Sequence, residues 1–428
     1  MPKFPPFLQL PILSRRHFLG LAAAAMVRGN SIPMPAKRME LLDEIGRRAC
    51  QFFLDHADPQ TGLVRDRART LGYEDRRIAS IAATGFGLSA LCIADLRGYA
   101  PSVDLADRVE KILTFLLKKA PHEHGFFYHF CDMTTGARAW QSELSSVDTA
   151  WLLCGALHCR AHFDTKPIRR LVSQLLDRVN WRWMLNGGST LSHGWTPEDG
   201  FLPYRWDNYS ELLAMYLLAM GSRTFPIPTS CWDNWARPGR LVETYMYIES
   251  PAPLFVHQYS HAWFDFRNKQ DGYTDYFRNS QLATQANRDL CVNLKKQFPW
   301  YSVGMWGVTS SESRGGYVEW GGPHSKVQVD GTLVPCAAGG SLVFLPDDCT
   351  LVLHNMLERY GKMIWTQYGF VDAFHPGDHW YSSDVIGIDL GIMLLMAENL
   401  RSESVWGAVM STPEAARGIT AAGFYRAG

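Results

Sequence analysis

Eleven consecutive residues, His257-Gln258-Tyr259-Ser260-His261-Ala262-Trp263-Phe264-Asp265-Phe266-Arg267, bring imidazoles, a carboxylate, a guanidinium and several aromatic rings into one short run. A plain amphipathic helix or strand has no need of that mixture. Sugars present apolar C–H faces that lie on aromatic rings and rims of hydroxyls that need paired donors and acceptors, so a sugar site would have this composition. On this reading His257, Gln258, Tyr259, His261, Trp263 and Arg267 are candidate ligand contacts. The competing reading is a polar-aromatic corner of the core, in which the same side chains satisfy one another. Arg267 and Asp265 are expected to pair with each other. Trp206, Trp306, Trp320 and Trp380 join Trp263 as candidate stacking platforms, because each stands among Gly, Pro or polar loop residues.

Cleaving a glycosidic bond generally requires two carboxyls, one protonated near neutral pH and one ionised. Glu211 is the first candidate for the acid. It follows the aromatic stretch Trp206-Asp207-Asn208-Tyr209-Ser210 and opens an apolar run from Leu212 to Met220. At such a junction, flanking rings would raise its pKa by desolvation. The plainer alternative is an acidic residue in a first helical turn, favoured there by the helix dipole. Four carboxyls compete for the second role: Asp148 and Glu143 beside Ser145-Ser146, Asp372 in a Tyr-Gly-Phe-Val-Asp-Ala-Phe loop, and Asp389 at the start of a late apolar helix. Asp148 and Asp389 rank ahead of Asp372 and Glu143.

Further segments share this character: Trp306-Gly307-Val308-Thr309, Gly315-Gly316-Tyr317, Trp320-Gly321-Gly322-Pro323, Asp330-Gly331-Thr332, and Ile386-Gly387-Ile388-Asp389-Leu390-Gly391 with Glu398-Asn399-Leu400-Arg401 beyond it. With the His-Gln-Tyr-Ser-His element they closely resemble the bacterial glucoamylase-like domain family, which includes endo-β-1,2-glucanases of glycoside hydrolase family 144. The resemblance runs from about Leu41 to about Met410. It implies an all-α (α/α)6 toroid of helical hairpins with long decorated loops. It also implies hydrolysis of β-1,2-glucan to sophoro-oligosaccharides, endo-acting and with inversion, and an acid carried by a glutamate in a segment like that of Glu211. The base in such enzymes can reach water through a relay, which keeps all four second carboxyls open.

The elements that must position these residues are helical. Apolar periodicity predicts helices at about 39–56, 78–96, 103–119, 146–163, 166–180, 209–221, 276–296, 350–360 and 386–400. The intervals 121–141, 186–207 and 299–338 are long, polar and aromatic, and loops of that length in a compact domain are usually functional. Gly125 to Phe130 and Leu342 to Leu345 read as short strands. The segment Ser14-Arg15-Arg16-His17-Phe18-Leu19-Gly20, followed by apolar residues to Val27, reads as a twin-arginine export signal over residues 1–36. That leaves 37–428 as a single catalytic domain, with the export machinery as a partner and a periplasmic or secreted location. The apolar stretch is too short for a stable membrane anchor.

Lys plus Arg and Asp plus Glu number 42 each. Such a balance gives no field to attract nucleic acid or an anionic membrane and suits a neutral glycan. The nine cysteines are scattered and read as small buried residues, Cys92, Cys154 and Cys291 among them. With no Cys-x-x-Cys pair, and no Glu between His257 and His261 where a zinc hydrolase places one, no metal or other cofactor is expected. Three further readings remain at this stage. One is an exo-acting β-glucan or oligosaccharide hydrolase of the same fold, the second a catalytically silent glycan-binding protein that keeps the aromatic cleft, and the third a polysaccharide lyase built on Tyr259, His257 and Arg267.

Overall fold

The computed structural model describes residues 36–242, 244–250 and 252–427. The expected export signal over residues 1–36 therefore lies outside the described residues, apart from its last position. Helices α1 to α6 span Ala36–Asp55, Ile81–Arg97, Ser102–Lys118, Ser146–Phe163, Lys166–Arg178 and Trp181–Met184. Then come Leu213–Gly221 (α7), Tyr259–Trp263 (α8), Tyr276–Asn293 (α9), Pro335–Gly339 (α10) and Pro346–Ile364 (α11). Gly387–Ser402 (α12), Ser404–Met410 (α13) and Pro413–Ala421 (α14) complete the set. Strands are at most four residues long, so the fold is all-α in class.

The helices sort by how their apolar residues are distributed. In α2, α4, α7 and α12 nearly every residue is buried, and each has apolar residues on all sides. Helices of that kind must be surrounded by protein. They pack on one another, α2 against α4 and α12, and α4 against α7. By contrast α1, α3, α5 and α11 bury one face and show the other to solvent. These form an outer group: α1 covers α2 and α12, α3 packs on α5, and α14 lies along α7. Two glycines allow helices to approach backbone to backbone. A Cβ on Gly155 of α4 would stand 2.1 Å from the Gly85 carbonyl oxygen of α2, and one on Gly418 of α14 would stand 2.2 Å from that of Leu217 in α7.

The starts of the buried helices are sharply defined. Ser80 accepts from the Ala83 amide at the head of α2, and Ser145 accepts from the Asp148 amide at the head of α4, each satisfying an otherwise orphaned N–H. Short strands lead straight into them: Ile78–Ser80 into α2, Leu144–Ser145 into α4 and Asp384–Ile386 into α12. These strands pair antiparallel with Phe130–Asp132, with Phe126–Tyr128 and Gly194–Thr196, and with Arg67–Arg69 respectively. The largest sheet has five strands in the order His122–Glu123, Phe126–Tyr128, Leu144–Ser145, Gly194–Thr196, Gly200–Phe201. Four of its strands come from the loops 121–141 and 186–207, and the central one leads into α4. Sequence alternation marks only its second strand, because strands of two or three residues are too short to show a period. The strand expected at Leu342 to Leu345 is instead a turn leading into α11.

Candidate active site

A cleft of about 970 Å³ opens where α4 and α7 begin. Three of the five candidate carboxyls line it: Glu143, Asp148 and Glu211, joined by Glu249 and Glu319. Glu211 sits in the turn just before α7. Burial drives its carboxyl up to about 7 against the opposing pull of its own backbone amide, and the charges of Asp148 and Glu319 push it up as well. A carboxyl so placed holds its proton near neutrality and can give it up to a leaving group.

The His-Gln-Tyr-Ser-His run explains how Glu211 is held. Ser260 Oγ donates to the Glu211 carbonyl oxygen at 2.9 Å and accepts from the Ala214 amide at 3.0 Å, so it caps the start of α7. Two residues before Glu211, the Tyr209 hydroxyl meets His257 Nδ1 at 3.2 Å. The run is thus mainly a buried frame behind the cleft. Gln258 is 1 % exposed and donates to Ala337 O and Ser341 Oγ. His261 is enclosed against Ser280 at 3.0 Å. Trp263 stacks on Trp151 at 5.7 Å and donates to Ser89. Burial lowers the imidazoles of His257 and His261 to about 3, which keeps both neutral. The structure therefore corrects the expectation that His257, Gln258, His261 and Trp263 line a sugar site, because all four are buried and none of them lines the cleft.

Other candidates are corrected in the same way. Trp306 is fully buried, and Trp320 is 5 % exposed with its indole N–H on Ser311. Trp380, half-buried in a strand paired with Phe374–His375, does not line this cleft. Arg267 pairs with Asp265 at 2.9 Å, as expected, and with Glu403 at 2.6 Å. Its guanidinium lies over Trp406 in a separate surface cleft of about 540 Å³. Of the Trp candidates Trp206 alone lines the catalytic cleft, stacked on His193 at 3.9 Å with its N–H on Ser146.

Sequence reasoning missed His129, which stands between two of the carboxylates. Its Nδ1 meets Glu143 at 3.1 Å and its Nε2 lies 3.8 Å from Asp148. Burial alone would lower this imidazole, yet Asp148 and Glu143 outweigh it and hold the pKa up to about 9. Glu143 is correspondingly lowered, its own burial overcome by the His129 bond. Asp148 is raised by burial in spite of His129 and Ser145. The three groups offer ligand atoms within 4.8 Å of one another, close enough for a cation. An imidazolium whose two nitrogens already face carboxylates fills that role itself. The only sequence signal for His129 was its place in a strand leading to the cleft loop.

Asp372 and Asp389 form a second carboxyl set beyond the cleft lining. They are 3 % and 7 % exposed and close enough to repel one another, and Asp372 accepts from the Glu312 amide at 2.6 Å. Burial and mutual repulsion push Asp372 well up, while burial, partly offset by bonds from Asp372 and Cys336, carries Asp389 to about 6. The Tyr259 hydroxyl is raised by burial and feels both Asp389 and Glu211. Tyr259, also a candidate sugar contact, is 4 % exposed and does not line the cleft, which corrects that expectation too.

Known proteins resemble the chain over most of its length. Residues 203–413 match the family Glycoamylase, described as "Putative glucoamylase". The chain is 27 % identical over 425 residues to an exo β-1,2-glucooligosaccharide sophorohydrolase (non-reducing end) of Parabacteroides distasonis. That match covers 90 % of this chain and spans 58 % of the relative's length. An endo-β-1,2-glucanase from Chitinophaga pinensis, solved with sophorotriose and glucose, superposes with a TM-score of 0.83 at 27 % identity, over 91 % of this chain and 98 % of that one. A β-1,2-glucanase from P. distasonis gives 0.84 at 25 % identity, over 91 % and 60 %. Residues 203–413 thus match a glucoamylase-like domain, and about nine-tenths of the chain is similar to β-1,2-glucan hydrolases.

Proposed function

We propose that this glucoamylase-like protein is a glycoside hydrolase that cleaves β-1,2-linked glucan to sophoro-oligosaccharides. The observation that carries the reading is Glu211, a half-buried carboxyl raised to about 7 at the wall of a large cleft with Asp148 close enough to influence it. A silent binding protein has no use for such a proton donor. In this reading Glu211 protonates the leaving oxygen and an ionised carboxyl directs water to the anomeric carbon, with inversion. Asp148, Glu143 and the Asp372–Asp389 pair are the carboxyls available for that second role. The toroidal (α/α)6 arrangement and twin-arginine export to the periplasm or medium belong to the same proposal. So does endo action.

Incubation with β-1,2-, β-1,3-, β-1,4- and α-linked glucans, followed by early-time product chromatography, tests it. A ladder of oligomers from the β-1,2 polymer is expected. A single disaccharide from the outset would instead match the exo action named for the P. distasonis relative, and cleavage of another linkage alone would sink the substrate assignment.

A further inference from the structure

Trp140 is a large indole held 66 % exposed, one ring beyond Phe130 from His129 in the cleft wall. Both it and Gln141 have φ of 53°, a left-handed backbone that a bulky residue adopts only where its surroundings impose it. Those surroundings are well made. Arg138 donates to the carbonyls of Gln141 and Ser142 and reaches Glu198 at 2.7 and 2.9 Å. Ser142 Oγ both donates to Phe130 O and accepts from Phe130 N, at 3.0 and 3.2 Å. The loop is clipped at both ends, and the indole is lifted outward on it.

The rings beneath it form a ladder. Trp140 contacts Phe130 at 5.0 Å between centroids, and Phe130 stacks on His129 at 3.9 Å and 17°. His129 is the group that bridges Glu143 and Asp148 in the cleft. The ladder leads from the carboxyl cluster to open solvent and ends on an exposed aromatic face. A strained, anchored and solvent-facing indole contributes nothing evident to the core, whereas a pre-positioned ring lowers the entropic cost of holding a sugar face.

We propose that Trp140 is a stacking platform for a distal glucosyl unit of the substrate chain, outside the units held in the cleft. The assignment rests on the glucan-hydrolase reading and extends it to chain-length recognition. Sugar C–H faces would lie on the indole, and long chains would gain affinity that short ones lack.

The test uses the full chain carrying Glu211→Gln, to prevent turnover, with and without Trp140→Ala. Binding of sophoro-oligosaccharides of increasing length is measured by calorimetry. Without the indole, the gain in affinity on lengthening the oligosaccharide should shrink roughly fivefold to tenfold, the loss of about one ring contact. Trp140→Phe should restore most of it, and melting should stay within the range of the parent. An unchanged length dependence, or equal weakening at every length, overturns the platform while leaving the hydrolase reading intact. If the parent binds no β-1,2 oligosaccharide but takes another glucan, the linkage assignment fails, and the same series on that glucan decides Trp140.

Discussion

A carboxylic acid that is to donate a proton near neutral pH must be kept from ionising, and the surroundings of Glu211 do this mainly by desolvation. Turnover should therefore fall as pH rises through about 7, where the donor loses its proton. Glu211→Gln should lower kcat by roughly 10²- to 10⁴-fold with no loss of melting temperature; a near-parental rate would remove it from the acid role. His129 predicts a stability effect of definite sign. Its folded pKa of about 9 lies above the ordinary 6.5, so its contribution is complete below pH 6.5 and is lost as pH rises through 9. Melting temperature should decline between pH 7 and 9, and His129→Asn should flatten that slope. An unaltered slope in the variant would show that the imidazole is not held charged. At this scale the sequence was informative about Glu211 because an acid after an aromatic loop and before an apolar run has few other reasons to be there. It misled about Gln258, His261 and Trp263, since residue types do not say whether polar groups meet a ligand or each other.

Helix packing decides where those side chains arrive. The heads of α4 and α7 reach one cleft because the buried helices approach closely, and α2 and α4 meet at Gly85 and Gly155. Gly155→Ala would press a methyl into backbone that no side-chain rotation can clear. It should destabilise by roughly 1–3 kcal/mol or more, read as a lower melting temperature. Gly407 in α13 is the control, since a Cβ there meets nothing within 4 Å; Gly407→Ala should be neutral or stabilising by up to about 1 kcal/mol. Equal effects at the two sites would mean that the α2–α4 contact is looser than described. The long helices were legible in the sequence, α4 to the residue, because capping Ser145 and an unbroken apolar run agree. The short α8, α10, α13 and α14 were not, since five to nine residues give a helical period too little length to stand out. The start of α7 was placed early, at 209 instead of Leu213. The intervening turn holds Glu211 outside the helix, fixed by Ser260 from another element, a contact that local sequence cannot announce.

At the scale of the whole molecule, 42 basic and 42 acidic residues cancel, and the cleft gathers several carboxylates with Arg205 its only lysine or arginine. A polyanionic substrate would be repelled from such a wall, and a lyase acting on uronates would need cationic groups facing its substrate. Arg267, the residue that kept that reading open, is engaged by Asp265 and Glu403 in a different cleft. A neutral glucan experiences neither attraction nor repulsion over a Debye length, which is about 10 Å at 0.1 M salt. The second-order rate constant kcat/KM on β-1,2-glucan should accordingly change by less than about twofold between low and high sodium chloride, because there is no long-range steering to screen. A rise of tenfold with salt would reveal a charged substrate pushed away by the cleft carboxylates, and a comparable fall would reveal one drawn in by cations. Either result would reject a neutral glucan as the substrate while leaving the Glu211 measurements untouched.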